Sequence, residues 1–291
     1  MIRTVSSKPG ISVVDTELLS PEGRTQELYA VAGNDKVVFA ILNTSKNCFV
    51  AIKEYISQSP TGTESLKTML EDVMQDDLIR FSFFNKINFG FVTSSSTLVP
   101  EAVYSADKRN TILGFNVTRS EDEWVGTDHL KQSGAFHVFS LPRNIVDMLT
   151  SKLPDVSIHH HASALLEGLM HENLSLDVPE VFINIRGSGL DIVVIKSKKI
   201  ILYNPYSYFS PADLAYFLLY TCEQLGLNPE TLSLNVAGEI EKSSGIYEIL
   251  YKYIRNIKFC KRPAIFKYSY KLDEIPSHYY HNLFNLKLCG S

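Results

Sequence analysis

Three consecutive histidines, His159, His160 and His161, stand in SIHHHASALLEGL at 157–169, directly before a run with helical spacing. Imidazole is a common metal ligand and titrates near neutral pH. On an extended strand His159 and His161 would share one face and His160 would take the other. Two same-face imidazoles begin a zinc site, which needs a third or fourth ligand from elsewhere. His137, in AFHVFSL, is the best-placed candidate, because consecutive strands tend to neighbour each other. His171, Glu167 and Glu172 are further options. No HExxH and no paired Cys–His spacing accompanies them. The competing reading has the imidazoles hydrogen-bonding at a strand end, with Ser163 capping the helix that follows. It is preferred here: no metal is expected, and His159, His161 and His137 are the ligands to test.

A second constellation lies in VFINIRGSGLDIVVI at 181–195, a strand, a GSG turn and a second strand carrying Asp191. Backbone N–H groups of a glycine-rich turn can approach phosphates closely. Carboxylates at strand ends can hold a hydrated Mg²⁺. An earlier turn, Gly33-Asn34-Asp35, also carries an acid, although aspartate is an ordinary turn former. Other reactive motifs are missing. GxSxG and GxxxxGK[ST] do not occur, and the GSG turn joins two strands rather than forming a strand-to-helix elbow. SSSTLVP at 94–100 reads as a polar loop. Cys48, Cys222, Cys260 and Cys289 include no CxxC pair, and the first three sit in apolar stretches as small buried hydrophobes.

Net charge is −4, with 45% hydrophobic and 21% charged residues, an ordinary globular balance. The basic stretches KSKK at 196–199 and KFCKR at 258–262 are short, and the first reads as a solvated hairpin tip, so nucleic acid is not an expected partner. No apolar run approaches the ~18 residues of a membrane span. The opening MIRTVSSKPGISVVD lacks a signal-peptide core. The expected location is cytoplasmic.

The elements around these residues follow a repeated order. Strands are predicted at Leu28–Ala32, Val37–Leu42 and Cys48–Tyr55, with a PEGR turn before them at 21–24 and an SPTG break after them at 59–62. Leu66, Met69, Leu70 and Val73 then recur at helical spacing. A strand at Ile87–Val92 leads into a less regular stretch, 95–135, with a candidate strand TILGFNV and a charged loop RSEDEW ending at Trp124. AFHVFSL, PRNIVDMLTSKL and DVSIHHH predict strand, helix and strand, followed by the helix of SALLEGLM. The polar HENLSLDVPE, 171–180, marks a boundary. A second meander follows, then a helix from Ser210-Pro211, the strand LSLNVAG, the helix SSGIYEILYKYI, the strand IKFCKR and a short helix in the tail. At an offset of 154 residues Gly33 falls on Gly187, and Val38-Phe39-Ala40-Ile41 on Ile192-Val193-Val194-Ile195. An order β-β-β-α-β-α-β occurring twice predicts a duplicated architecture.

That order resembles the actin, hexokinase and heat-shock-70 superfamily, whose fold is ribonuclease H-like. VFINIRGSGLDIVVI lies on the superfamily's strand-turn-strand without a gap, with Asp191 on the trailing acid and Gly187 on a turn glycine. SIHHHASALLEGL is similar to its connecting segment, a strand end leading into a hinge helix. LNVAGEIEKSSGIYEIL is similar to its adenosine segment. Among the subgroups, the chain resembles the pilus and cell-division actin-like assembly proteins, and more narrowly a Bacteroidetes family of unknown function with an actin-like ATPase fold. The resemblance implies an α/β chain of two lobes, each a mixed sheet flanked by helices: 1–175, with an insertion at about 95–135, and 176–291. It implies that ATP and Mg²⁺ would meet Asn184, Arg186, Gly187, Ser188, Asp191, Ala237, Gly238 and Glu239.

The departures from the pattern fall on the chemical positions. The first meander's opening strand has no acid, Asn184 stands for a carboxylate, Arg186 for a glycine, and Ala237-Gly238-Glu239 for a Gly-Gly turn. These changes predict a degenerate nucleotide site, no cofactor, and an interaction or scaffold protein. Its protein partner would dock on 95–135, with Trp124 as a candidate anchor if it is not in the core. The alternatives are an ATPase or kinase using Asp191 and Asp35, and a metal-dependent enzyme at the histidines.

Overall fold

The computed structural model describes residues 7–19, 25–58, 62–80, 84–118, 120, 122–172 and 178–289. The PEGR turn, the first three residues of SPTG and residues 173–177 of the boundary segment lie outside them. The chain begins with β1 (Ser7–Val14), β2 (Gln26–Ala32), β3 (Lys36–Asn43), β4 (Cys48–Ser57), α1 (Gly62–Met74), α2 (Asp77–Arg80) and β5 (Lys86–Phe91). Next come β6 (Ser96–Pro100), α3 (Arg109–Asn116), β7 (Glu123–Leu130), β8 (Ala135–Pro142), α4 (Arg143–Lys152), β9 (Val156–His160) and α5 (His161–Met170). The remainder is β10 (Glu180–Arg186), β11 (Gly189–Lys196), β12 (Lys199–Ser207), α6 (Pro211–Gln224), β13 (Ser233–Gly238), α7 (Gly245–Tyr253), β14 (Asn256–Phe259), β15 (Lys267–Tyr268) and α8 (His281–Asn285).

Both meanders form, and each opens a sheet of the same topology. One sheet contains β4-β3-β2-β5-β9 and the other is β12-β11-β10-β13-β14. In each, the first three strands in sequence are antiparallel neighbours, and two later strands add in parallel beside the first. The hairpins differ in length. Ala32 pairs with Val37, whereas Arg186 pairs with Gly189. With the opening strands held at the 154-residue offset, the second strands therefore align at 152, so the ungapped match of Val38–Ile41 to Ile192–Ile195 is out of step by two residues. Hairpin register follows loop length, and the first loop is longer by two.

The central strands β3 and β11 are buried along nearly their whole length. A strand covered on both faces reads as a continuous apolar run rather than an alternation, which is why VVFAIL and LDIVVI stand out in the sequence. Leu66, Met69, Leu70 and Val73 of α1 pack into the first core, as their spacing predicts. In α6, Ser210 accepts the Asp213 N–H while the Asp213 carboxylate accepts the Ser210 N–H, a reciprocal cap with Pro211 in the first turn. All four cysteines are buried and unbridged, and burial raises their thiols.

The chain folds into two compact units: Met1–Glu167 with Pro263–Ile275 and Asn282–Ser291, and Gly168–Arg262 with Pro276–His281. In the first, β1 pairs with β4 at Ala51–Ser57, and β15 pairs with β4 at Cys48–Phe49. The tail seals this end of the sheet. Phe49 meets Phe266, Tyr268 and Phe284, Ser269 Oγ donates to the buried Asp15 carboxylate at 2.5 Å, and Lys287 pairs with Glu27 at 2.6 Å.

Between β5 and α4 the chain adds an antiparallel sheet, β6-β8-β7, with its own small core of Val99, Leu113, Val125 and Val138. TILGFNV is not a strand here; most of it lies in α3, with Leu113 buried and Phe115 exposed. Tertiary contact overrides weak local propensity here: Leu113 enters the small core of this sheet, and Ile112 and Val117 pack against it. Trp124 lies on β7 against the first core, edge-on to Phe139, with its indole across Gly126. It belongs to the packing of β7 and is not a free anchor.

Candidate functional site

The β10–β11 hairpin turns on Gly187 and Ser188. Gly187 has φ 44°, the left-handed region that glycine enters without a steric penalty. The pairing sets Asn184 opposite Asp191 and Arg186 opposite Gly189. Arg186 reaches diagonally across the hairpin. Its Nε donates to Asp191 Oδ2 at 2.8 Å and its Nη2 to Oδ1 at 2.9 Å, a two-pronged carboxylate contact. Asn184 Nδ2 adds a 3.0 Å bond to Oδ2. Gly189 makes room for this: a Cβ there would come within 2.7 Å of Arg186 Nη1. Asp191 is fully buried. Burial, with the Asp191 carboxylate beside it, pushes the Tyr203 phenol well above its usual value.

The end of β13 joins the same corner. Gly238 has φ 91°, and a Cβ on it would meet the Ile185 carbonyl oxygen at 2.0 Å. Gly238 N donates to His278 O, and Glu239 N donates to Ile185 O, both at 2.8 Å. Tyr208 OH donates to Gly187 O at 2.5 Å, and Tyr208 N donates to Ser188 O at 2.9 Å. Burial raises the Tyr208 phenol, and the nearby Glu239 carboxylate adds to the effect. Asn184, Arg186, Gly187, Ser188, Asp191, Ala237, Gly238 and Glu239 thus meet at one end of the second sheet. Tyr203 and Tyr208 complete the corner; no motif in the sequence points to them.

This donor set does not fit a hydrated Mg²⁺. Both Asp191 oxygens already accept from Arg186, and its partner across the hairpin is an amide, a poor divalent-ion ligand. The guanidinium lies on Gly189, so that stretch of the turn is covered where a phosphate would need close approach. Arg186 has its anion within the chain. Asp35, in the other hairpin, is a turn residue whose carbonyl accepts the Ser57 N–H.

The histidines form a buried polar network in the first unit. His159 Nδ1 bonds Asp128 Oδ1 at 2.8 Å, and the His160 N–H donates to Asp128 Oδ2 at 2.8 Å. His160 Nε2 bonds Thr93 O at 2.9 Å, so it is the donor, and Nδ1 accepts the Ala162 N–H at 3.2 Å. His160 therefore caps α5. Ser163 does not; it lies within the helix, fully buried, with Oγ 3.0 Å from His137 Nδ1. His161 is the first residue of α5, so the strand alternation that would align it with His159 stops at His160. Among the described residues no three His, Cys, Asp or Glu side chains are grouped to hold a metal ion.

Sequence reasoning missed Asp128, which ties the inserted sheet to β9. Its one signal is register, since it pairs with His137. Asp128→Ala should cost about 2–4 kcal/mol, because it strips the acceptor from two buried donors. Urea unfolding that shows no loss would refute this role.

A family model described as "Protein of unknown function (DUF3822)" matches residues 22–257. The chain belongs to that family. Among the curated proteins compared, none matches it. Its structural relatives include a Bacteroides thetaiotaomicron protein with an actin-like ATPase fold and unknown function, 17% identical, covering 81% of this chain and 91% of that one, TM-score 0.72. A PilM-PilN type IV pilus biogenesis complex chain is 12% identical over 91% of this chain and 98% of that one, TM-score 0.66. Ethanolamine utilization protein EutJ from Carboxydothermus hydrogenoformans is 10% identical over 94% and 92%, TM-score 0.50. This DUF3822 protein has the actin-like ATPase fold. No helix among its described residues is long and apolar enough to cross a membrane.

Proposed function

We propose that this DUF3822 protein is a non-catalytic interaction or scaffold protein on an actin-like ATPase fold. The observation that carries the reading is the closed Arg186–Asp191 pair, buried where the fold would need a carboxylate open to a metal ion. Degenerate positions and an intact fold together support a role in binding rather than turnover. The PilM likeness adds a weaker support, since that relative is named as part of a pilus biogenesis complex.

Calorimetry with ATP and Mg²⁺ tests the reading. No heat of binding is expected at submillimolar nucleotide, with or without Mg²⁺. Mg²⁺-dependent binding in that range would overturn it and favour the ATPase or kinase alternative.

A further inference from the structure

The duplication supplies an internal comparison. The third strand of the first meander, β4, is covered along its outer edge by β1 and β15. Its counterpart, β12, pairs with β11 on one side and has no strand partner on the other among the described residues. An open edge offers a row of backbone donors and acceptors to an extended segment. Along it, Ile201 is 50% exposed.

Charge narrows the occupant. The tip that leads into β12 carries Lys196, Lys198 and Lys199, all exposed and none in an ion pair among the described residues. The tip is also conformationally costly. Ser197 has φ 51° and Lys198 φ 57°, in a two-residue turn where glycine or asparagine is the cheaper choice. Strain of this kind persists where something else gains from it. The lysines and Pro205, which lacks an N–H, also disfavour pairing of β12 with a second copy of itself.

We infer that the outer edge of β12, over Lys199–Asn204, is a docking strand for an extended segment of another protein. That segment is acidic at the end facing Lys196, Lys198 and Lys199, and apolar where it meets Ile201. The proposal rests on the interaction-protein reading. Its test is separate, since peptide capture can fail while ATP still does not bind.

Panning a displayed library of random linear peptides against the full chain is the first step. Enriched peptides should pair an acidic cluster with alternating apolar residues. They should slow amide exchange at Lys199–Asn204. Their affinity should fall about tenfold for the triple variant Lys196→Glu, Lys198→Glu, Lys199→Glu, the worth of three exposed ion pairs. Lys198→Gly provides a control that does not risk the fold: it should raise Tm by relieving the turn, yet weaken the same peptides. The inference is overturned if no peptide is enriched, if enriched peptides are indifferent to the lysines or protect other amides, or if sedimentation shows self-association that the triple variant abolishes.

Discussion

Arg186→Ala is expected to destabilise the protein by about 3–5 kcal/mol, because it leaves the fully buried Asp191 carboxylate without its counter-charge. Asn184 retains one hydrogen bond to Asp191, which does not replace a guanidinium making two. Arg186→Lys keeps the charge but not the planar fork, so it should fall between wild type and alanine. The diagnostic comparison is the double variant Arg186→Ala, Asp191→Ala. Removing both partners costs less than leaving one stranded, so its loss should be smaller than the sum of the single losses. Urea unfolding of wild type, Arg186→Ala, Asp191→Ala and the double variant measures the coupling. Additive losses would show that the pair is incidental to the hairpin.

Gly238→Ala should be similarly damaging for a different reason. The new methyl would lie 2.0 Å from the Ile185 carbonyl oxygen and 2.6 Å from the Ile185 nitrogen, both backbone atoms that cannot rotate away. The residue is also held at φ 91°, which disfavours any side chain. Overpacking and left-handed strain together amount to about 2–5 kcal/mol. Soluble yield and Tm report the effect, and a variant that melts with the wild type would show that β13 can retreat from β10 without penalty. Gly238 is therefore required by the close approach of β13 to β10, whatever the corner binds.

The meanders were legible because their chemistry is local. Turn residues such as Gly33-Asn34-Asp35 and Gly187-Ser188 bracket apolar runs, and cover on both faces of the sheet leaves those runs unbroken. Capping by Ser210 and the buried face of α1 were readable for the same reason. The loop-length difference between the hairpins was not, since an alignment of similar apolar runs tolerates a shift of two residues. The helical state of TILGFNV depends on contact with the inserted sheet, which spacing does not encode. At the candidate site, the resemblance of VFINIRGSGLDIVVI and LNVAGEIEKSSGIYEIL to superfamily segments put the residues of the corner forward. That resemblance could not reveal that Arg186 turns back onto Asp191, because the contact depends on a two-residue hairpin and on the space over Gly189. Asp128 was hidden for a related reason: an acid at mid-strand acquires meaning only once its neighbours in space are known.

The closing of the first sheet by the tail has a consequence for biosynthesis. The ribosome releases β2, β3, β4, β5 and β9 well before residues 263–275 and 282–289, which supply β15, the Ser269 bond to Asp15 and the Phe284 contact to Phe49. Domains otherwise tend to fold in order of emergence. Here the nascent first unit must wait, with the Phe49 end of its sheet unsealed, until the rest of the chain has been translated. A nonsense codon between the second meander and β15 would therefore damage the part of the protein that was made first.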